Sequence, residues 1–434
     1  MKKINWQKGI LLLAVLAFCG MLFLMGATGE EAVEKREEVS GTIPTAAVQE
    51  TAVPMQNEES PSPEPSHGAV IKKHKDGGAV WTYNTGTRCL VISGEGKIST
   101  EEEGDTSKLS SEELEYSGEE NCYRPQYYKK VEKIIIKAGI TYINEGAFEG
   151  YSRLEKVVFD SQSNCRRIGY AAFQSCRSLR EIRLPDSVER VGAAAFRDCK
   201  SLQRVYLGSS FLGGDPGGEV LFSNNKNLKE VTVSASNPKY SSKDGVLYNK
   251  RRTKLLYYPR AKRDRRFDIP DTVETVRASS FGETRYLEEV SFPKSLKLIG
   301  YNAFVWSKSL KSVNIQGKNV VIRSRAFSMC QSLVQVTLGD GVREIRDEVF
   351  YDNPDLREIH IPASVVKIGK DAFGIWLYRE NREGGGGSVS RRDVKDFTIY
   401  GKKGSAAQRY AEKHVFDFVA EKSNKEKGLK AGRA

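Results

Sequence analysis

The segment FGETRYLEEVSFPKSLKLIGYNAFVWSKSLKSVNIQGKNVVIRSRAF, residues 281–327, contains two copies of a pattern that continues to residue 373. A phenylalanine begins each copy. A leucine follows six residues later, and apolar residues follow nine and eleven residues later. Side chains of a strand alternate between its two faces, so the last two positions predict a short strand with two inward residues. The phenylalanines stand 23 residues apart at Phe281, Phe304, Phe327, Phe350 and Phe373. A fixed period of this length is typical of stacked coils, because one coil cannot bury its apolar face alone.

The same pattern extends to both sides of this segment and predicts about nine to ten coils. An inward strand residue is usually followed by the next phenylalanine after 14 residues, and departures from this count mark insertions. The longest departure separates Val231 from Phe281, which implies an insert of 36 residues, and a shorter Gly-rich insert follows Phe373. The count therefore predicts repeats over 131–233 and 269–400, with a basic hairpin insert at 234–268 between them.

Three residues after the repeat phenylalanine, most coils carry a small residue with some polar character. This position holds Cys176, Cys199, Asn225, Ser307, Cys330 and Asn353. A position shared by Cys, Ser and Asn predicts an interior series that satisfies backbone groups at a turn, rather than a metal site. A disulfide between Cys89 and Cys122 is an alternative that stays open for an exported chain.

The N-terminal segment predicts export. Lys2, Lys3 and Lys8 precede an apolar run from Gly9 to Ala27, so residues 1–29 form either a cleaved signal peptide or a retained membrane anchor. The positive-inside bias places the rest of the chain outside the cytoplasm in both cases. Residues 30–68 are rich in Glu, Pro, Ser and Thr and hold few large apolar groups, which predicts a disordered stalk.

Both ends of the array are predicted to carry caps, since the first and last coils must be shielded from water. Residues 69–130 are expected to form an N-terminal β cap that includes a hairpin of segments 79–83 and 89–93. Residues 401–421 are expected to form a C-terminal cap helix after a last strand at 397–399, and 422–434 a disordered basic tail. The full chain has a formal net charge of +12. The stalk holds nine Glu and only two basic residues. The positive charge is therefore concentrated in the folded part, which is strongly basic.

The coil IRLPDSVERVGAAAFRDC, residues 182–199, resembles the BspA-like leucine-rich repeats of bacterial surface proteins. This resemblance covers about residues 80–420 and implies a right-handed repeat solenoid with a parallel β-sheet on one face. It also implies a protein of the cell surface, secreted or anchored, that acts in adhesion or protein binding. The family has no shared catalytic residues, cofactor or metal site to carry over. The four histidines of the chain form no zinc-protease motif, and no nucleophile elbow is present, so an enzyme is not expected.

Outward residues of the repeat strands are the first candidate ligand-binding site. Stacked coils are expected to align them in parallel columns, on the face that curved solenoids usually use for ligands. The alternative is a sheet face that contacts only solvent. His360 is predicted to be a surface histidine rather than a metal ligand. The candidates are Glu181, Arg183, Arg204, Tyr206, Glu230, Thr232, Glu289, Glu358 and His360.

The second candidate is the run KRRTKLLYYPRAKRDRR, residues 250–266, with nine basic residues against Asp264. It lies in the predicted insert, so it is expected to project from the array and to create a field that attracts a polyanion. Such a partner would be a cell-wall polymer or a sulfated glycan rather than a specific nucleic acid. The alternative is a solvated charge cluster. The candidates here are Arg251, Arg252, Arg260, Arg263, Arg265 and Arg266.

Overall fold

The computed structural model describes residues 70–98, 114–116, 123–125, 127–214, 222, 224–380 and 388–421. The predicted export segment 1–29, stalk 30–68 and tail 422–434 lie outside these residues, as does Cys122, so those interpretations and the suggested disulfide stay predictions. No helix in the described part of the chain is long and apolar enough to cross a membrane.

Short strands dominate the described residues. The first fifteen are β1 (Ile71–Asp76), β2 (Ala79–Asn84), β3 (Cys89–Gly94), β4 (Gly96–Ile98), β5 (Leu114–Tyr116), β6 (Tyr123–Pro125), β7 (Lys133–Ile136), β8 (Ile140–Ile143), β9 (Lys156–Phe159), β10 (Arg167–Ile168), β11 (Glu181–Arg183), β12 (Arg190–Val191), β13 (Arg204–Leu207), β14 (Gly213–Gly214) and β15 (Glu230–Val233). The others are β16 (Tyr240–Lys243), β17 (Val246–Asn249), β18 (Lys254–Tyr257), β19 (Arg266–Asp268), β20 (Thr275–Val276), β21 (Glu289–Ser291), β22 (Leu298–Ile299), β23 (Ser312–Ile315), β24 (Val320–Ile322), β25 (Gln335–Leu338), β26 (Val342–Ile345), β27 (Glu358–Ile361), β28 (Lys367–Ile368), β29 (Ile375–Glu380), β30 (Ser388–Asp393), β31 (Thr398–Gly401) and β32 (Asp417–Ala420). The helix α1 spans Ala406–His414.

Each coil contributes one strand to each of two parallel sheets, and the predicted solenoid is confirmed, with about twelve turns. The first sheet holds the strands that follow the phenylalanine turn. It contains β7, β9, β11, β13 and β15 in the N-terminal half, and β19 to β27 (odd-numbered) with β31 and β32 in the C-terminal half. The second sheet contains β4, β8, β10, β12 and β14, then β18 to β28 (even-numbered). The buried residues form two clusters, one over 79–233 and one over 246–411.

The repeat phenylalanines form a stack of rings along the core. Phe304 is fully buried, with its ring centroid 4.3 Å from that of Phe281 and 4.9 Å from that of Phe327. Stacked rings of this kind bury a large apolar area and add a favourable aromatic contact. Tyr410 of α1 closes the C-terminal end, with its ring 4.9 Å from that of Phe373. We call this series the aromatic stack.

The predicted interior series at the turn is confirmed, and we call it the polar ladder. Each member donates to the carbonyl of the phenylalanine that begins the preceding coil. Asn225 Nδ2 lies 2.8 Å from Phe196 O, Ser307 Oγ 2.9 Å from Phe281 O, and Cys199 Sγ 3.1 Å from Phe173 O. Burial raises the pKa of the Cys199 thiol to about 12, so this thiol stays protonated and available as a donor at neutral pH.

The array contains a coil that the sequence pattern did not reveal. Tyr258 stands 23 residues before Phe281 and continues the aromatic stack, with ring centroids 4.8 Å apart. Phe267 lies on β19, which pairs in parallel with β21. Tyrosine replaces the repeat phenylalanine here, and Asp264 replaces the usual leucine and accepts a hydrogen bond from the Tyr258 hydroxyl at 3.1 Å. The domain limits stay predictions, but part of the expected insert 234–268 lies inside the solenoid.

The antiparallel hairpin of β16 and β17 is the main segment that projects between the two halves of the array. The next strand, β18, pairs antiparallel with β17 and parallel with β20, so it joins the hairpin to the second sheet. The hairpin also covers the edge of the first sheet, where the Val231 N–H donates to Gly245 O at 2.9 Å. The first sheet is therefore interrupted between β15 and β19.

Strands and a helix cover the two ends. The predicted N-terminal hairpin is confirmed by the antiparallel pairing of β2 with β3, and β3 then pairs in parallel with β7. At the other end, β31 pairs with β27, and the intervening residues form the antiparallel arm of β29 and β30. Arg391 fastens this arm to the nearly buried Asp371 with two hydrogen bonds, at 2.5 and 2.7 Å.

Candidate ligand-binding face of the first sheet

Six of the predicted residues lie together on the outward face of β11, β13 and β15. The parallel register pairs Glu181 with Arg204 and Arg204 with Glu230, which forms one column along the solenoid. The second column contains Arg183, Tyr206 and Thr232. Neighbouring strands in a sheet lie about 4.8 Å apart, so each side chain contacts the next coil.

Contacts within and between the columns hold these side chains in place. Arg204 Nε lies 2.8 Å from Glu181 Oε2, and the Arg183 guanidinium lies 4.6 Å from the centre of the Tyr206 ring. The Thr232 hydroxyl donates to Glu230 Oε1 at 3.1 Å. Exposed ion pairs add little to stability, roughly 0–1 kcal/mol each. Their effect here is to restrict the side chains before a ligand arrives, which lowers the entropy cost of binding.

The prediction that the columns continue across the whole array is wrong. Glu289 lies in the C-terminal half of the first sheet, beyond the hairpin that covers the edge of β15. Its neighbour on the N-terminal side is Arg266, whose guanidinium lies 3.9 Å from the Glu289 carboxylate. The first sheet thus carries two separate faces, and Glu289 belongs to a different one from Glu230.

Glu358 and His360 lie on β27, next to the C-terminal cap. His360 stacks on Tyr400 of β31, with ring centroids 4.3 Å apart, and its Nδ1 lies 2.6 Å from Glu421 Oε1. Glu358 pairs with Thr398 in the register of the same strands. These two residues are far along the array from the cluster on β11 to β15, and the structure does not bring the two sets together.

The basic run 250–266 does not project as one patch, contrary to expectation. It follows the coil around its circumference, from the turn before β18 in the second sheet to β19 in the first. Four of its nine cations also have carboxylate partners at 3.0 to 3.3 Å. These pairs are Arg260 with Glu283, Lys262 with Asp264, Arg265 with Glu288 and Arg266 with Asp268.

The remaining predicted arginines of the run are differently placed. Arg251 and Arg252 lie in the turn that precedes β18, and Arg263 lies 5.9 Å from the centre of the Tyr286 ring. No ion pair joins these three to a carboxylate of the described residues. Sequence reasoning missed that Arg266 and Asp268 are column residues of the first sheet. The 14-residue interval from Phe267 to Phe281 is the signal that could have found them.

The model of the BspA type leucine rich repeat region matches residues 120–244 and 262–375, in six copies and over more than half of the chain. The fold is similar to that of the pneumococcal vaccine antigen PcpA, at 19% identity over 81% of this chain and 99% of that one, with a TM-score of 0.47. It is also similar to a leucine-rich repeat protein from Eubacterium ventriosum, at 21% identity over 70% of this chain and 94% of that one, TM-score 0.41. A leucine rich cell surface protein from Faecalibacterium prausnitzii matches at 20% identity over 68% and 90%, TM-score 0.39. No match was found among curated proteins.

Proposed function

Because this chain belongs to the family of BspA type leucine rich repeat proteins, we propose that it is a non-enzymatic protein of the cell surface, secreted or anchored, that binds a protein ligand. The observation that carries the proposal is the face of β11, β13 and β15, where two columns of polar and aromatic side chains are aligned and cross-linked. A continuous parallel register across these three strands holds this surface in a fixed arrangement. An adhesion or scaffold role follows from a rigid surface of this kind.

The chemistry of this face favours a protein over a small molecule. Arginine and tyrosine are the residue types that most often dominate the energy of protein interfaces. Arg183 and Tyr206 lie side by side in the second column, and the first column places the carboxylates of Glu181 and Glu230 beside them. Charges at the rim of such a surface steer the partner and select for a complementary one.

The test replaces Arg204, Tyr206 and Glu230 together by alanine in the folded protein. We expect saturable binding to a protein from a surface extract to weaken by at least tenfold, because aromatic and arginine anchors each contribute about 2 kcal/mol or more. The matched control is the triple alanine variant at Ser312, Asn314 and Gln335, on the C-terminal face of the same sheet. Binding measured by surface plasmon resonance should be unchanged in the control.

Circular dichroism should show that both triple variants keep the melting temperature of the parent protein. Equal losses in the two variants, or no loss in either, would place the ligand elsewhere and contradict the proposed face.

The alternative function, polyanion binding through residues 250–266, has weaker support. Carboxylate partners neutralise four of the cations, and the run extends from the second sheet to the first instead of forming one patch. It rests on Arg251 and Arg252, which keep their charge unpaired among the described residues. On this alternative, replacing these two by serine reduces the binding of an anionic polymer, measured at low salt, more than removal of any other arginine pair does.

A further inference from the structure

A column of cations runs along the outward face of the second sheet in the N-terminal half. The register pairs Lys97 with Tyr142, Tyr142 with Arg167, and Arg167 with Arg190, so these four side chains follow one another on β4, β8, β10 and β12. We call Lys97, Arg167 and Arg190 the cationic column. All three are exposed, and neighbouring positions are about 4.8 Å apart.

No carboxylate of the described residues forms an ion pair with the cationic column. Glu189 directly precedes Arg190 but makes no such pair, and the adjacent Arg166 is a further exposed cation. The guanidinium of Arg167 lies 5.3 Å from the centre of the Tyr142 ring. Like charges directly opposite each other in a sheet are destabilising, so this arrangement opposes folding unless an anion compensates it.

The equivalent surface of the C-terminal half is built differently. There the column positions include the neutral residues Thr275, Leu298 and Val321. Lys297 beside this column pairs with Glu274 at 2.9 Å and Arg346 with Glu344 at 2.7 Å, and Lys367 lies opposite Glu344 in the register. Among the described residues, the C-terminal half therefore places no two cations opposite each other in this column.

The cationic column ends at a glycine. Gly213 takes the next position after Arg190, where it presents no side chain. A Cβ placed on it would lie 2.7 Å from the Tyr240 hydroxyl and 3.9 Å from Lys239 Nζ. Tyr240 therefore fills the place of a side chain at Gly213, and the ammonium group of Lys239 donates to Leu212 O at 2.9 Å.

We propose that the cationic column binds a sulfated polysaccharide that lies along the solenoid axis. A carboxylate has two oxygens, and one guanidinium fork occupies both, whereas a sulfate ester offers three terminal oxygens to two adjacent arginines. Lys97 lies in line with the arginine pair along the solenoid axis, so the site suits a linear polymer. Tyr170, three residues after Arg167 and 51% exposed, provides an aromatic surface for a sugar ring.

The experiment measures heparin binding by the full chain as a function of salt. The test variant replaces Arg167 and Arg190 by serine, and the control replaces the exposed Lys402 and Lys403 by serine, so both lose two positive charges. We expect the test variant to lose at least tenfold in affinity and its salt dependence to become shallower by about one to two contacts. The control should stay within about threefold of the parent, since only its net charge changes.

Equal losses in the two variants would show that net charge alone attracts heparin and would overturn the proposal. Equally tight binding of polyglutamate would overturn the assignment to sulfate, and equally tight binding of polyphosphate would overturn the assignment to a polysaccharide. A parent chain that binds heparin no better than the test variant would also overturn it. Binding of the protein ligand proposed above should be unaffected by the test variant, which separates the two proposals.

Discussion

Replacement of Phe304 by alanine is expected to lower the free energy of unfolding by about 3–5 kcal/mol, the range for a buried phenylalanine. The Phe304 side chain is fully buried, and its ring contacts Phe281 and Phe327 on its two sides. Phe292 also approaches it edge-on, with centroids 5.8 Å apart. Alanine removes all three ring contacts and leaves a cavity that the flanking coils cannot fill without breaking their register.

Amide hydrogen exchange is the suitable measurement, because stacked coils can open locally. The free energy of opening should fall most for the amides of β21, β23 and β25, which surround the cavity. Tyr286→Ala is the matched control: Tyr286 is 40% exposed, and its loss should cost less than about 0.5 kcal/mol. Comparable losses for the two variants would mean that the aromatic stack contributes no more than a surface ring.

Replacement of Asn353 by alanine is expected to cost about 1–3 kcal/mol, the penalty for a buried polar group left without its partner. Asn353 Nδ2 donates to Phe327 O at 3.0 Å, and the residue is 1% exposed. Alanine cannot donate, so the carbonyl loses this hydrogen bond in a place that water does not reach. The cost of losing the donor should be largest at positions of the polar ladder where the next coil shields the accepting carbonyl from solvent.

Asn353→Ser is the control for this prediction. Serine retains a donor of sufficient reach, as Ser307 shows at 2.9 Å from Phe281 O, and it removes the Asn353 amide oxygen, which has no hydrogen-bond partner. We expect serine to cost less than about 1 kcal/mol in chemical denaturation. A serine variant as unstable as the alanine variant would show that side-chain volume, rather than the hydrogen bond, matters at this position.

The repeated parts of this fold could be predicted because each depends on a local interval. The 23-residue spacing places one phenylalanine above another, and in most coils the residue three positions later donates to the carbonyl of the preceding phenylalanine. These contacts recur from coil to coil, so their residue types reveal them. Cys, Ser and Asn in one position share only the ability to donate, which identifies the polar ladder without a structure.

The candidate sites were harder to predict, because they depend on the positions where the repeat interval is interrupted. The coil that begins at Tyr258 was missed because Tyr258 and Asp264 pair with each other in place of the usual phenylalanine and leucine. Its omission led to the expectation that Arg265 and Arg266 project, although they lie beside Glu288 and Glu289. The cationic column was also missed, because β4 belongs to the cap and its pairing with β8 follows no repeat interval.

The hairpin of β16 and β17 has a consequence for how the chain folds. It separates two hydrophobic clusters and interrupts the backbone hydrogen bonding of the first sheet. In a solenoid, a nucleus can form in any coil and grow by addition of neighbours, and growth slows where the coupling between neighbours is weak. Nucleation can therefore occur independently on either side of the hairpin. We therefore expect the cooperativity of the array to be lowest at this junction.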